Sequence, residues 1–166
     1  MESIVHSIVD ALSGKISKEF IVFLVSMIPL LELRGSILAA GFLQMNFVPT
    51  YIAAVLGNML PIPFILLFIE KIFAWMKTRK HLKKFPEAIE KRAMSKAGQI
   101  EKYGYFGLFL FVAIPLPGTG AWTGSLLSVL LCLNRKKSLL FIFLGVLTAG
   151  LVMSLISFGI IKNILG

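Results

Sequence analysis

Charge is the scarcest commodity in this chain. Only 15% of its 166 residues are charged, and eight of those are acidic, whereas soluble domains carry about 25% charged residues. With 57% hydrophobic residues and a mean hydropathy of +0.89, a water-soluble fold is excluded, because a domain of this size buries only about 70% of the surface its unfolded chain exposes. Lipid must cover part of the remainder. Cysteine occurs once, at Cys132, which excludes an intrachain disulfide and a cysteine metal site. In its apolar run it reads as a small buried hydrophobe. Histidine occurs twice, at His6 and His81, both in polar stretches. Metal-ligand spacing, a Ser-His-Asp or Cys-His arrangement and a P-loop are all missing, so the chain is expected to be neither an enzyme nor the holder of a metal or cofactor. Glu2 and Asp10 stand where a secretory signal would be basic, so no cleavable signal peptide is expected.

The charge that is present is unevenly placed. The net charge is +9, and nine of the 17 basic residues fall between Lys77 and Lys102. A loop joining membrane segments on the cytoplasmic side accounts for such a run, and nucleic acid is not expected as a partner. Around it the apolar runs define one membrane domain. In residues 1–18, Ile4, Val5, Ile8, Val9 and Leu12 share a helical face opposite Glu2, His6 and Asp10, which predicts a short interfacial helix. His6 and Asp10, four apart, either pair or form a solvated face. Residues 20–43 are apolar apart from Glu32 and Arg34, and Pro29 interrupts them. Residues 50–75 have the length of a spanning helix, about 20 apolar residues, with a kink expected at Pro61 and Pro63. Within 77–103, Pro86 at a first helical position and the stripe Ile89, Ala93, Ala97, Ile100 predict a surface helix against the membrane, closed by Gly104. Residues 104–134 are apolar but broken by Pro115, Pro117, Gly118, Gly120 and Gly124. Residues 138–162 read as an uninterrupted spanning helix.

The pattern repeats. Phe20, Phe23, Leu24, Ile28, Pro29 and Leu30 recur at the same spacing as Phe106, Phe109, Leu110, Ile114, Pro115 and Leu116. Gly35-Ser36 then matches Gly124-Ser125, and Leu56-Gly57 matches Leu144-Gly145. Each half is a broken segment followed by an intact helix. If all four segments spanned, Arg135, Lys136 and Lys137 would lie opposite the basic loop, against the positive-inside rule. If 20–43 and 104–134 instead enter and leave on one side, both basic clusters are cytoplasmic. The expected fold is therefore an all-α integral membrane protein: an inverted repeat of two units, each a re-entrant helical hairpin followed by a transmembrane helix, plus surface amphipathic helices. Irregular backbone at that depth must be shielded or line a wet cavity. A single subunit is thin for this task, so a homodimer is expected.

Three features carry candidate chemistry. Glu32 and Arg34 are ionisable groups at membrane depth, where insertion costs roughly 2.5–3.5 kcal/mol and a pathway or a partner is usual. Either they form a mutual salt bridge that pins the hairpin tip, or Arg34 receives an anionic headgroup while Glu32 takes up and releases a proton coupled to transport. Residues 115–124 combine Pro115, Pro117, Gly118, Thr119, Gly120, Trp122, Thr123 and Gly124. Glycines permit close backbone approach and a half-helix N-terminus there would face an anion, while Gly120 and Gly124 also suit tight helix contact. Trp122 either lines the cavity or packs. Asn58 either bonds between helices or contacts substrate. With Gly35 beside Arg34, these residues are the candidate substrate site.

The strings PLLELRG at 29–35, LGNMLPIP at 56–63 and IPLPGTGAWTG at 114–124 resemble the small multidrug export protein family of prokaryotes, from about residue 20 to the end. More distantly, the chain is similar to the DedA-like superfamily, which has two facing re-entrant hairpins and is associated with moving lipid phosphates across the bilayer. DedA-like proteins carry an acidic motif in one hairpin and an arginine motif in the other; here Glu32 and Arg34 share the first. The resemblance implies a multi-pass transporter of a prokaryotic cell membrane. Three functions remain open: translocation of an anionic lipid phosphate or similar amphiphile, proton-coupled export of drugs through Glu32, or a non-transporting assembly factor. Membrane lipids and the substrate are the expected partners.

Overall fold

The computed structural model describes residues 2–116 and 118–165, and the side chains of Glu2 and of 158–165 are excepted. Met1, Pro117 and Gly166 lie outside it, so the expectation for Pro117 does too. The described chain forms helices α1 (Glu2–Leu12), α2 (Lys18–Met27), α3 (Glu32–Phe42), α4 (Phe47–Met59), α5 (Ile62–Lys77), α6 (Lys84–Met94), α7 (Gly98–Ala113), α8 (Ala121–Leu130) and α9 (Arg135–Leu165). Two stretches are long and apolar enough to cross a membrane, Phe47–Lys77 and Arg135–Ser157.

The first of these is α4 and α5 in sequence. Proline lacks the N–H that would continue the ladder, and the break falls at Leu60 and Pro61. Both keep right-handed helical dihedrals (φ −57°, ψ −45° and φ −73°, ψ −19°), so the span is interrupted without being turned back. The two broken segments behave differently. Pro29 and Pro115 end α2 and α7; the chain turns through 28–31 into α3, and residues 114–116 and 118–120 precede α8. Ser17 starts α2 by accepting a hydrogen bond from the Phe20 N–H, an N-terminal cap.

The residues that recur in sequence make matching contacts. Phe20 stacks on Phe23 and Phe106 on Phe109, each with ring centroids 5.9 Å apart. α2 packs against α4 and α7 against α9. A methyl at Gly57 would run into the Phe23 carbonyl, and one at Gly145 into the Phe109 carbonyl, so both glycines let helices close to backbone contact. Between the halves, α5 packs on α8 and α9 on α3. The core runs through Ile21, Ile37, Ile62, Leu108, Leu127 and Ile142, all fully buried. Arg135 at the start of α9 lies 3.4 Å from Glu70 of α5, which brings the second basic cluster beside the helix that leads into the first.

Three expectations change. Cys132 is exposed, not buried: it sits in the α8–α9 turn with φ 53°, and the turn carries it off the helix face. The helix predicted across 86–103 is split. α6 ends at Met94, α7 begins at Gly98, and Gly104 (φ 57°, ψ −131°) breaks α7 rather than closing α6. The apolar stripe also faces protein, since Ala93, Ala97 and Ile100 are buried and α6 packs on α8. Apolar periodicity cannot tell a neighbouring helix from lipid. At the N-terminus Val5 and Val9 are buried where α1 packs on α3, while His6 and Asp10 are 2.8 Å apart and both exposed.

Candidate functional site

The tips of the two broken segments meet. Glu32 begins α3 with φ 47°, a left-handed conformation that costs a non-glycine residue roughly 1–3 kcal/mol and persists only where surroundings enforce it. Its amide donates to the Ile28 carbonyl at 2.8 Å, closing the turn that Pro29 starts. Its carboxylate Oε1 crosses to the other tip and accepts from the Trp122 N–H at 3.2 Å. Trp122 is the second residue of α8, so Glu32 supplies a negative charge to unpaired donors and the positive dipole end of that helix. Gly120, just ahead, has φ 139° and ψ −174°, a conformation essentially restricted to glycine. A methyl there would strike the Glu32 carboxylate. Gly120 therefore provides both the turn and the room.

Arg34 crosses in the same direction. Its guanidinium donates to the Thr119 carbonyl at 3.3 Å and to Thr119 Oγ1 at 3.0 Å. The Thr119 hydroxyl lies 2.8 Å from the Leu116 carbonyl and 3.0 Å from that of Ile114, so it can donate back into its own turn while accepting from Arg34. Lys96, from the segment between α6 and α7, donates to the Gly118 carbonyl at 2.9 Å. A mutual Glu32–Arg34 salt bridge, one of the two alternatives, is not among the ion pairs within 4.0 Å of the described residues. Two residues apart at a helix start, they point to different places and each binds the opposite tip.

Behind this contact lies a small cavity of about 10 Å³, whose wall includes Glu32, Arg34, Asn58, Pro115, Gly120 and Ala121. Asn58 is 2% exposed, and its Oδ1 has no hydrogen-bond partner among the described residues, so no interhelical bond is made through that oxygen there. Beside it runs an apolar groove of about 470 Å³ along α5, between Met27 and Trp122 and reaching to Ile72. The Trp122 indole lines this groove, and its Nε1 is unpartnered.

Not every candidate reaches the site. Gly35 is buried in its own turn, where a methyl would meet Leu31. Gly124 packs α8 on α7, a methyl there falling 2.8 Å from Val112. Thr123 makes no described hydrogen bond and is absent from the cavity wall. Lys96 and Ala121 do reach the tips but were not expected there. Lys96 looked like one more charge in a basic loop, and alanine carries no chemical signal. No three His, Cys, Asp or Glu side chains among the described residues converge as metal ligands.

A family model described as "Putative small multi-drug export protein" matches residues 32–152. The chain belongs to that family. The match begins at Glu32 itself and takes in both tips, Asn58 and α9 up to Leu151 and Val152. No curated protein and no solved structure matches the chain. With the family's export description and two apolar spans, this is a membrane protein of a transporter family.

Proposed function

We propose that this protein moves small amphiphiles with an anionic headgroup across the membrane, and that a proton on Glu32 opens the path. The observation that carries the reading is the Glu32 carboxylate seated on the α8 N-terminus, across the two tips. A carboxylate in that position is a tethered stand-in for an anionic ligand. Protonation removes its charge, weakens its hold on the helix end and frees the α8 amides with Arg34 beside them. Helix-start amides and a planar guanidinium suit a phosphate or carboxylate headgroup. The groove along α5, which begins at Trp122, is apolar enough for the tail. The anion binds only when Glu32 carries the proton, so anion and proton travel together.

The tips are taken as re-entrant and the two units as inverted repeats, the plan in which broken helices meet near the midplane. The matching contacts of Phe23 and Phe109 with Gly57 and Gly145 support that plan. The closeness of Arg135 to Glu70 supports placing both basic clusters on the cytoplasmic side. Lipid phosphates are the natural members of the substrate class.

A second reading, export of cationic drugs, follows the family's description. A cation would bind deprotonated Glu32 and move against the proton, but Arg34 at the same tip repels it. Reconstituted liposomes separate the two. Labelled phosphatidic acid should move in the direction of an imposed proton flux, at least tenfold more slowly with Arg34→Ala, whereas Glu32→Gln, fixed in the neutral form, should move it without regard to the proton gradient. Movement of ethidium opposite to the protons, with phosphatidic acid unmoved, would overturn the anion reading in favour of drug export.

A further inference from the structure

We propose that the cavity between Glu32 and Asn58 holds one water molecule through which Glu32 exchanges its proton, with Asn58 as the positioning residue. The inference deepens the proton-coupled reading above and rests on it. Asn58 comes from α4, a spanning helix, and is 2% exposed. Its Oδ1 is an acceptor with no partner among the described residues, and leaving such a group unsatisfied is costly in a buried site. It shares a wall with Glu32 and Arg34, so the acceptors and donors a small polar particle needs converge there. The cavity of about 10 Å³ lies at the lower end of the roughly 10–15 Å³ that one water requires, and a buried water needs two to four polar partners. A water there donates to Asn58 Oδ1 and to the Glu32 carboxylate and accepts from Arg34.

The remaining surroundings favour a neutral particle over a metal cation. On α3 itself Arg34 brings positive charge to the wall. α7 contributes Val112, α8 contributes Ala121, and α9 contributes Val146 and Ala149, none ionisable. Tyr51 of α4 donates its hydroxyl to the Leu147 carbonyl. Lys96 lies beyond the tip on the Gly118 carbonyl. The charged groups of α1 and α2 that touch α3 do so at its far end, where Lys18 donates to the Leu43 carbonyl and His6 packs on Phe42. Glu32 is therefore the one carboxylate in this wall, with a guanidinium beside it, and sodium would gain little net attraction. On protonation this water takes up a solvent proton as hydronium and passes it to a Glu32 carboxylate oxygen, ending as neutral water; on release the same two transfers run in reverse.

The test does not require the transported substrate. Of the two tryptophans, Trp75 is exposed and is replaced by phenylalanine, leaving Trp122, whose amide touches Glu32, as the reporter. The protein is placed in lipid nanodiscs, and Trp122 fluorescence is followed after a rapid pH jump. The expected result is a transition that Glu32→Gln abolishes, that Asn58→Leu slows at least tenfold, and that Asn58→Ser, which keeps a hydroxyl and leaves room for water, restores to within about threefold. An unslowed transition in folded Asn58→Leu overturns the water site while leaving proton coupling intact. If that variant does not fold, a transition in Asn58→Ser slowed tenfold or more overturns it equally. A transition that follows sodium at fixed pH, with potassium inert, replaces the water by a cation. Absence of any Glu32-dependent transition in the Trp75→Phe protein overturns the proton reading, and this site with it.

Discussion

If Glu32 and Gly120 are fitted to each other, their substitutions must not add. In the wild type, Gly120→Ala introduces a methyl into the Glu32 carboxylate and forces alanine into φ 139°. The backbone part costs about 1–3 kcal/mol. Displacing the carboxylate from the α8 amides loses a charge-assisted hydrogen bond, about 1.5–3 kcal/mol, so the single substitution should cost roughly 2.5–6 kcal/mol. In the Glu32→Ala background the carboxylate is already gone, and with it the three atoms nearest the methyl. There Gly120→Ala should cost only its backbone part. The coupling energy of the cycle is then about 1.5–3 kcal/mol, well outside the few tenths expected of independent sites. Equilibrium unfolding in detergent, followed by tryptophan fluorescence with all four proteins at one pH above neutrality, measures it. A coupling below about 0.5 kcal/mol would refute the tip-to-tip contact.

Arg34→Ala should destabilise by about 1–3 kcal/mol and Thr119→Val by about half as much, since valine leaves the Thr119 carbonyl bond in place; Arg34→Lys should recover little, because an ammonium does not span the two acceptors. The same unfolding measurement checks both. Gly57→Ala drives a methyl into the Phe23 carbonyl and Ser26 and should cost at least about 1–3 kcal/mol, whereas Gly98→Ala, with nothing within 4 Å, should leave stability unchanged or raise it by about 0.4–1 kcal/mol. In a Cys132→Ser background, Lys136→Cys should react with an impermeant maleimide only from the cytoplasmic side; external labelling would refute the shared-side topology.

How far the sequence could be read depended on the type of residue. Pro29 and Pro115 announced the breaks, since a ring without an N–H ends a helix wherever it falls. Pro61 announced the interruption of the first span for the same reason. Hydropathy announced the two spans, because about 20 apolar residues match a bilayer whatever surrounds them. Glu32 and Arg34 stood out because charge is expensive at that depth. These are local statements, and the neighbouring residues alone decide them.

Partner choice is not local. The amide that receives the Glu32 carboxylate belongs to Trp122, 90 residues away, and the acceptor for Arg34 is 85 residues away. Spacing left open whether the two charges pair with each other, and the meeting of two distant turns gave each a partner on the opposite tip. The glycine-rich string offered an anion site. That the anion is the chain's own carboxylate required seeing which tip faces it. Cys132, apolar by neighbourhood, is exposed because a turn points it outward. Asn58 Oδ1 has no partner among the described residues, because the nearby Arg34 guanidinium is turned to Thr119 on the other tip. Composition and spacing thus determined the solvent, the breaks and the expensive groups. The packing of α3, α4, α8 and α9 decided what those groups touch, since contact depends on the path of the whole chain.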